Sequence, residues 1–187
     1  RYYVRIAGCS HTTAVWNPND RSNCLIANSG QVVEQTQLLD QGFLKLALFG
    51  LVPAGEEKLK TSLEKVNRHI RVKTPRGTGW YRYSFDAYGE DKKGRLWPLL
   101  GGEHGRYAIE RYRQNDLSEE KMLEQVTMIK ESFEGFANVG DMIPEQVFEQ
   151  TGKGTGAATP LAWSHAEYIK LLWSLEEKKN ISNVFLK

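Results

Sequence analysis

Cysteine is scarce: the 187 residues hold two, Cys9 and Cys24. There is no C-x-x-C pair and no series of spaced thiols, so a disulfide framework is excluded and both cysteines are expected to be free or loosely paired. Long apolar runs are absent as well. The strongest, near residues 46–49, falls far short of the ~20 residues of a membrane span. Nor does one sign of charge prevail, since 25 Lys and Arg face 23 Asp and Glu for a net charge of +2. No basic stripe of the kind that grips nucleic acid appears. Neither a nucleic acid nor a membrane is therefore an expected partner. Alternating β-branched runs long enough for a sheet are missing too. The chain opens on Arg1, with no charged and apolar leader after it. That start is expected of a mature form, a proteolytic product or a piece of a longer chain, and it leaves targeting illegible.

What is present is ordinary soluble-protein composition, 40% hydrophobic and 26% charged. Such a chain is neither disordered nor of low complexity, and its length suits one domain. Helix periodicity recurs at spacings of three and four. It predicts a helix over 31–49 (Val32, Val33, Leu38, Leu39, Phe43, Leu46, Ala47), closed by Gly50. A second is predicted over 55–72, with Leu59, Leu63, Val66 and Ile70 on one face and Thr74-Pro75 as its stop. A weaker one follows over 103–115. A fourth starts after Ser118, with Glu119 and Glu120 in its first turn and a stripe of Met122, Val126, Ile129, Phe133 and Phe136. A fifth is expected from Thr159 as N-cap with Pro160 in the first helical position. The fold class read from this pattern is all-α.

Two long segments without clear periodicity, 73–102 and 139–158, separate these helices. Loops of that length in a compact domain carry function or disorder. Residues 80–107 contain 7 of the chain's 20 aromatics (Trp80, Tyr81, Tyr83, Phe85, Tyr88, Trp97 and Tyr107), which argues against disorder. Arg82, Asp86, Glu90, Arg95 and Glu103 lie among them. Aromatic faces stack on the C–H face of a pyranose, and carboxylates and arginines satisfy its hydroxyls, which are costly to bury unpaired. The competing reading is that the aromatics pack the loops onto the helices. In the second segment Pro144 stiffens the chain ahead of Glu145. A carboxylate so held suits a general base, although an exposed loop glutamate has the same appearance.

The order of five elements resembles glycoside hydrolase family 15, the glucoamylase and glucodextranase family. They are Trp80-Tyr81-Arg82-Tyr83, Tyr88-Gly89-Glu90, Gly94-Arg95-Leu96-Trp97-Pro98-Leu99-Leu100 with Gly102-Glu103, Ile143-Pro144-Glu145-Gln146-Val147, and Ala158-Thr159-Pro160-Leu161-Ala162-Trp163-Ser164-His165. The resemblance implies an (α/α)6 barrel, of which five or six helices are too few for the whole. Residues 1–187 would then be the C-terminal part of a catalytic domain, with its N-terminal part as a partner. It implies an inverting, exo-acting hydrolase that releases β-glucose from α-glucan ends. Inversion needs two carboxyl groups flanking a water. The base falls on Glu145, and the acid lies on a loop that this chain does not match. Arg82, Tyr88 and Trp97 would hold the terminal glucose. Arg95 and Glu103 would lie in the loop lining the pocket.

No cofactor and no metal is implied, and a secreted or periplasmic setting is favoured. Trp163 and His165 read as structural helix residues. Departures from the family pattern fall at Ala87, Gly101, His104, Phe148 and Glu149, and they bear on substrate preference through pocket shape. A member acting on trehalose or dextran, and a non-catalytic sugar-binding or regulatory module built on the same barrel, are the alternatives.

Overall fold

The computed structural model describes residues 2–5, 23–26 and 28–182. Among them are five α-helices and two short antiparallel hairpins. The chain is thus mostly helical, and the all-α expectation is corrected by the hairpins. Strands β1 (Asn23–Leu25) and β2 (Val32–Glu34) pair through Cys24 and Val33. Of the helix expected over 31–49, only a 3-10 turn at Gln35–Gln37 and helix α1 (Leu44–Leu48) form. Val32 and Val33 spend their β-branched side chains in the strand instead. Cys24 is buried against Ile26 and Leu38 and is disulfide-bonded, which corrects the free-thiol expectation. Cys9 lies outside the described residues.

Helix α2 (Glu57–His69) ends before the predicted limit. The chain then turns into β3 (Arg71–Thr74) and β4 (Gly77–Trp80), paired from Arg71–Trp80 to Thr74–Gly77. Thr74-Pro75 is therefore the start of a hairpin turn as well as the end of the helical region. The hairpin docks on α4 (Glu119–Phe136), where Thr78 N–H donates to Ser132 Oγ at 2.9 Å. Arg76 Nη1 reaches the carbonyls of Gly135 and Ala137 at 3.2 and 3.4 Å. Helix α4 itself forms as its stripe predicts, with Ser118 Oγ capping Lys121 N–H.

At the centre lies α3 (Leu99–Arg113), buried along most of its length. It begins four residues before the expected position. Its glycines weaken intrinsic helicity but admit close neighbours. A Cβ at Gly102 would stand 2.9 Å from Cβ of Glu167, and one at Gly105 2.4 Å from a Leu171 methyl. Both partners belong to α5 (Ala162–Glu176), which starts later than predicted, with Leu161 rather than Thr159 as N-cap. Leu161 N–H is drawn to Ile143 O at 3.0 Å. Helices α1 to α5 with the second hairpin enclose one core, including Leu44, Leu59, Trp80, Ile109, Phe133 and Leu171. Charges inside it are paired: Arg106 binds Glu167 and Ser182.

Candidate saccharide site

The loop between β4 and α3 is built around Asp86, whose side chain is fully buried. Arg82 lies four residues earlier and meets Asp86 side-on. Its Nε donates to Oδ2 at 2.8 Å and its Nη2 to Oδ1 at 2.9 Å. Asn28 Nδ2 (2.7 Å) and Tyr88 N–H (3.0 Å) also donate to Oδ1. Burial pushes the Asp86 carboxyl up. The Arg82 hydrogen bonds and the Tyr88 N–H oppose that, with the Arg82 charge and Asn28, and leave it below the usual carboxylate value. Gly94 closes the loop from Asp86 O at 2.9 Å. A Cβ there would sit 2.3 Å from the same oxygen, so the closure demands glycine.

Held this way, the Arg82 guanidinium lies 4.6 Å from the Tyr88 ring centre and 5.0 Å from that of Trp97. The two rings are tilted, with centres 6.3 Å apart. Bidentate pairing fixes the plane of the guanidinium and leaves its other N–H donors for a ligand. Tyr88 is half-exposed, whereas Trp97 is 8% exposed. The Trp97 indole N–H is buried with no hydrogen-bond partner among the described residues. Structure thus brings together Arg82, Tyr88 and Trp97 as expected. It gives Asp86, named from the sequence only as one of the loop's carboxylates, the part of holding Arg82. The clue was the Arg82–Asp86 spacing inside an aromatic loop.

The segment that carries Glu145 is held by a small ladder, which joins it to the residue before Trp97. Val147 is bridged on one side to Leu96 and on the other to Gly154. Glu145 N–H donates to Ala158 O at 2.9 Å. From α5, Ser164 Oγ donates to Pro144 O at 2.9 Å, and His165 Nε2 accepts from Ile143 N–H at 3.0 Å. His165 therefore pins the backbone that carries Glu145. The Glu145 side chain is half-buried and meets Gln146 Nε2 at 3.4 Å.

Arg95 and Glu103 are buried and bound to partners outside the Arg82–Asp86 pair. Arg95 is bound to Glu149 at 3.2 Å and packed on Phe148, with its guanidinium 4.9 Å from that ring centre. Glu103 accepts from Gln41 Nε2 at 3.1 Å and faces Lys45 at 3.5 Å. Two departures from the family pattern also turn inward. Gly101 faces Ile129 and Trp80. His104 is buried, stacked on Trp80 with ring centres 4.1 Å apart and bonded to Gln41 at 3.0 Å. Those two positions shape the core rather than a pocket wall. Among the described residues no cluster of His, Cys, Asp and Glu could hold a metal. No helix there is long and apolar enough to cross a membrane.

This chain is similar in sequence and in structure to glucoamylases. It is 39% identical over 188 aligned residues to a glucoamylase of Clostridium sp. (strain G0005), an alignment that covers 96% of this chain. A bacterial glucoamylase solved in complex with acarbose superposes with a TM-score of 0.83 at 39% identity over 97% of the chain. The chain spans only 24% of the first relative and 26% of the second. No protein-family model matches it.

Proposed function

We propose that this chain supplies the general base and part of the glucosyl pocket of an inverting, exo-acting glucoamylase-like hydrolase. Its product would be β-glucose, released from non-reducing ends of α-glucans. The observation that carries the reading is the Arg82–Asp86–Tyr88–Trp97 cluster, together with the likeness to glucoamylases over nearly the whole chain. Tyr88 and Trp97 offer ring faces to a pyranose. Arg82 offers its remaining N–H groups to sugar hydroxyls.

In this account Glu145 removes a proton from a water on the face of the sugar opposite the leaving oxygen. The ladder through Val147 and the anchors from Ser164 and His165 hold that carboxylate against the protein frame. Fixed geometry lowers the cost of reaching the transition state. The general acid comes from the remainder of the polypeptide, which completes an (α/α)6 barrel around residues 1–187 as the C-terminal part of the catalytic domain. NMR of the first sugar released from maltotetraose by the full-length polypeptide tests the reading. The β-anomer is expected to appear before mutarotation, and α-glucose as the first product would exclude inversion.

A further inference from the structure

We infer that the chain carries a second saccharide-binding pocket, adjoining the Arg82 cluster and sharing Asp86 with it as a wall. A cavity of about 510 Å³ opens where the 34–39 segment and the 81–86 loop meet the end of α2. Its size falls in the range of about 300–1,000 Å³ found for small-ligand sites. Tyr2, Tyr81, Tyr83 and Phe85 wall it, with Glu34 and His69 among its polar groups.

Its frame is built from both segments. Leu39 N–H donates to Ser84 Oγ at 2.8 Å, Ser84 N–H to Leu39 O at 2.9 Å, and Ser84 Oγ to Gln37 O at 2.9 Å. Two of the rings are already fixed by cations. Arg5 lies 3.9 Å from the centre of Tyr83, and Lys65 Nζ 3.6 Å from that of Tyr2. Preset rings lose little freedom on binding. Phe85 is 40% exposed and adopts φ 64. A bulky residue in the left-handed region is strained, and this ring does not recover the strain by burial.

The polar groups select the ligand class. Glu34 uses one carboxylate oxygen for the Thr36 hydroxyl at 2.7 Å, and the other oxygen remains to accept. His69 Nδ1 donates to Lys65 O at 2.7 Å, so its Nε2 is left as an acceptor. The lining holds both Glu34 and Lys65, and Asp86 is already neutralised by Arg82, so the wall has no excess charge that selects an ion. Aromatic faces with free acceptors suit a neutral, hydroxyl-rich ring. A pyranose of an α-glucan meets both demands. The proposal needs neither Glu145 nor inversion, and it goes beyond the catalytic reading.

Calorimetric titration of the full-length polypeptide with a sulfur-linked maltotriose, which is not hydrolysed, provides the test. Two sites per chain are expected. Phe85→Gly removes a wall while relieving the backbone, so its Tm should not fall. That variant, and separately Glu34→Ala, should weaken one site roughly tenfold or more. Trp97→Ala should weaken the other. A single site in the unmodified polypeptide, or two sites unchanged by Phe85→Gly and Glu34→Ala, would overturn the second pocket. An effect of Phe85→Gly with none from Trp97→Ala would keep the pocket and refute the proposed glucosyl site instead.

Discussion

Asp86 decides how Arg82 presents itself. Its carboxylate collects two guanidinium N–H groups, one amide and one backbone N–H. Replacing it by Asn removes the charge that holds the guanidinium between Tyr88 and Trp97. In the full-length polypeptide we expect Asp86→Asn to raise KM for maltooligosaccharides by roughly tenfold or more, since hydrogen bonds to charged groups contribute about 1.5–3 kcal/mol. A KM within twofold of the unmodified value would show that Arg82 needs no such support. The pH sign follows from the lowered carboxyl. Its contribution to stability is present above the ordinary carboxylate value and is lost as pH falls through the depressed one. His104 acts over a higher window. Burial, with the nearby Arg71 charge, pushes it down from 6.5 to about 3. An unfolded chain therefore takes up that proton first as pH falls. His104 should contribute stability fully above pH 6.5 and lose it progressively towards about 3. Unfolding titrations of unmodified protein and His104→Gln should diverge in slope across that window, and parallel curves would exclude a neutral buried imidazole.

At the scale of elements, the β3–β4 turn packs closely on α4. A Cβ at Gly135 would lie 1.9 Å from Arg76 O, and backbone on both sides leaves little room to yield. Gly135→Ala should lower stability by about 1–3 kcal/mol, as overpacking does, read as a drop in the denaturant midpoint. No change in midpoint would mean that the turn is free to swing away. This contact also explains what the sequence concealed. Helix α4 is legible because its stripe, its Ser118 cap and its acidic first turn agree. The 71–80 hairpin is not, because its partner is α4 and not a wide sheet, so no long alternating run was needed. Helix α3 read as weak because of its glycines, which are there for the approach of Glu167 and Leu171. Val32 and Val33 fit a helical stripe by spacing, yet local pairing with Cys24 and Leu25 won. Of the candidate site, the aromatic loop and Glu145 were visible as motifs. The pairing of Asp86 with Arg82 was not, because long loops have no period that assigns a side chain to the interior.

The molecule as a whole presents Trp163, Ile169 and Trp173 on the outer side of α5, each more than half exposed. Apolar surface of this kind calls for a covering partner, and the remainder of the proposed barrel would provide it. Residues 1–187 expressed alone should associate with themselves or with that remainder in sedimentation experiments. They should release no glucose, because in the proposed mechanism the acid of the pair belongs to the remainder of the polypeptide. The most direct test of the central claim is the steady-state kinetics of Glu145→Gln in the full-length polypeptide on maltotetraose. The account predicts a fall in kcat of ~10²-fold or more, as expected for a lost general base, with KM changed far less. A kcat within a few fold of the unmodified enzyme would contradict it and assign the base to another residue.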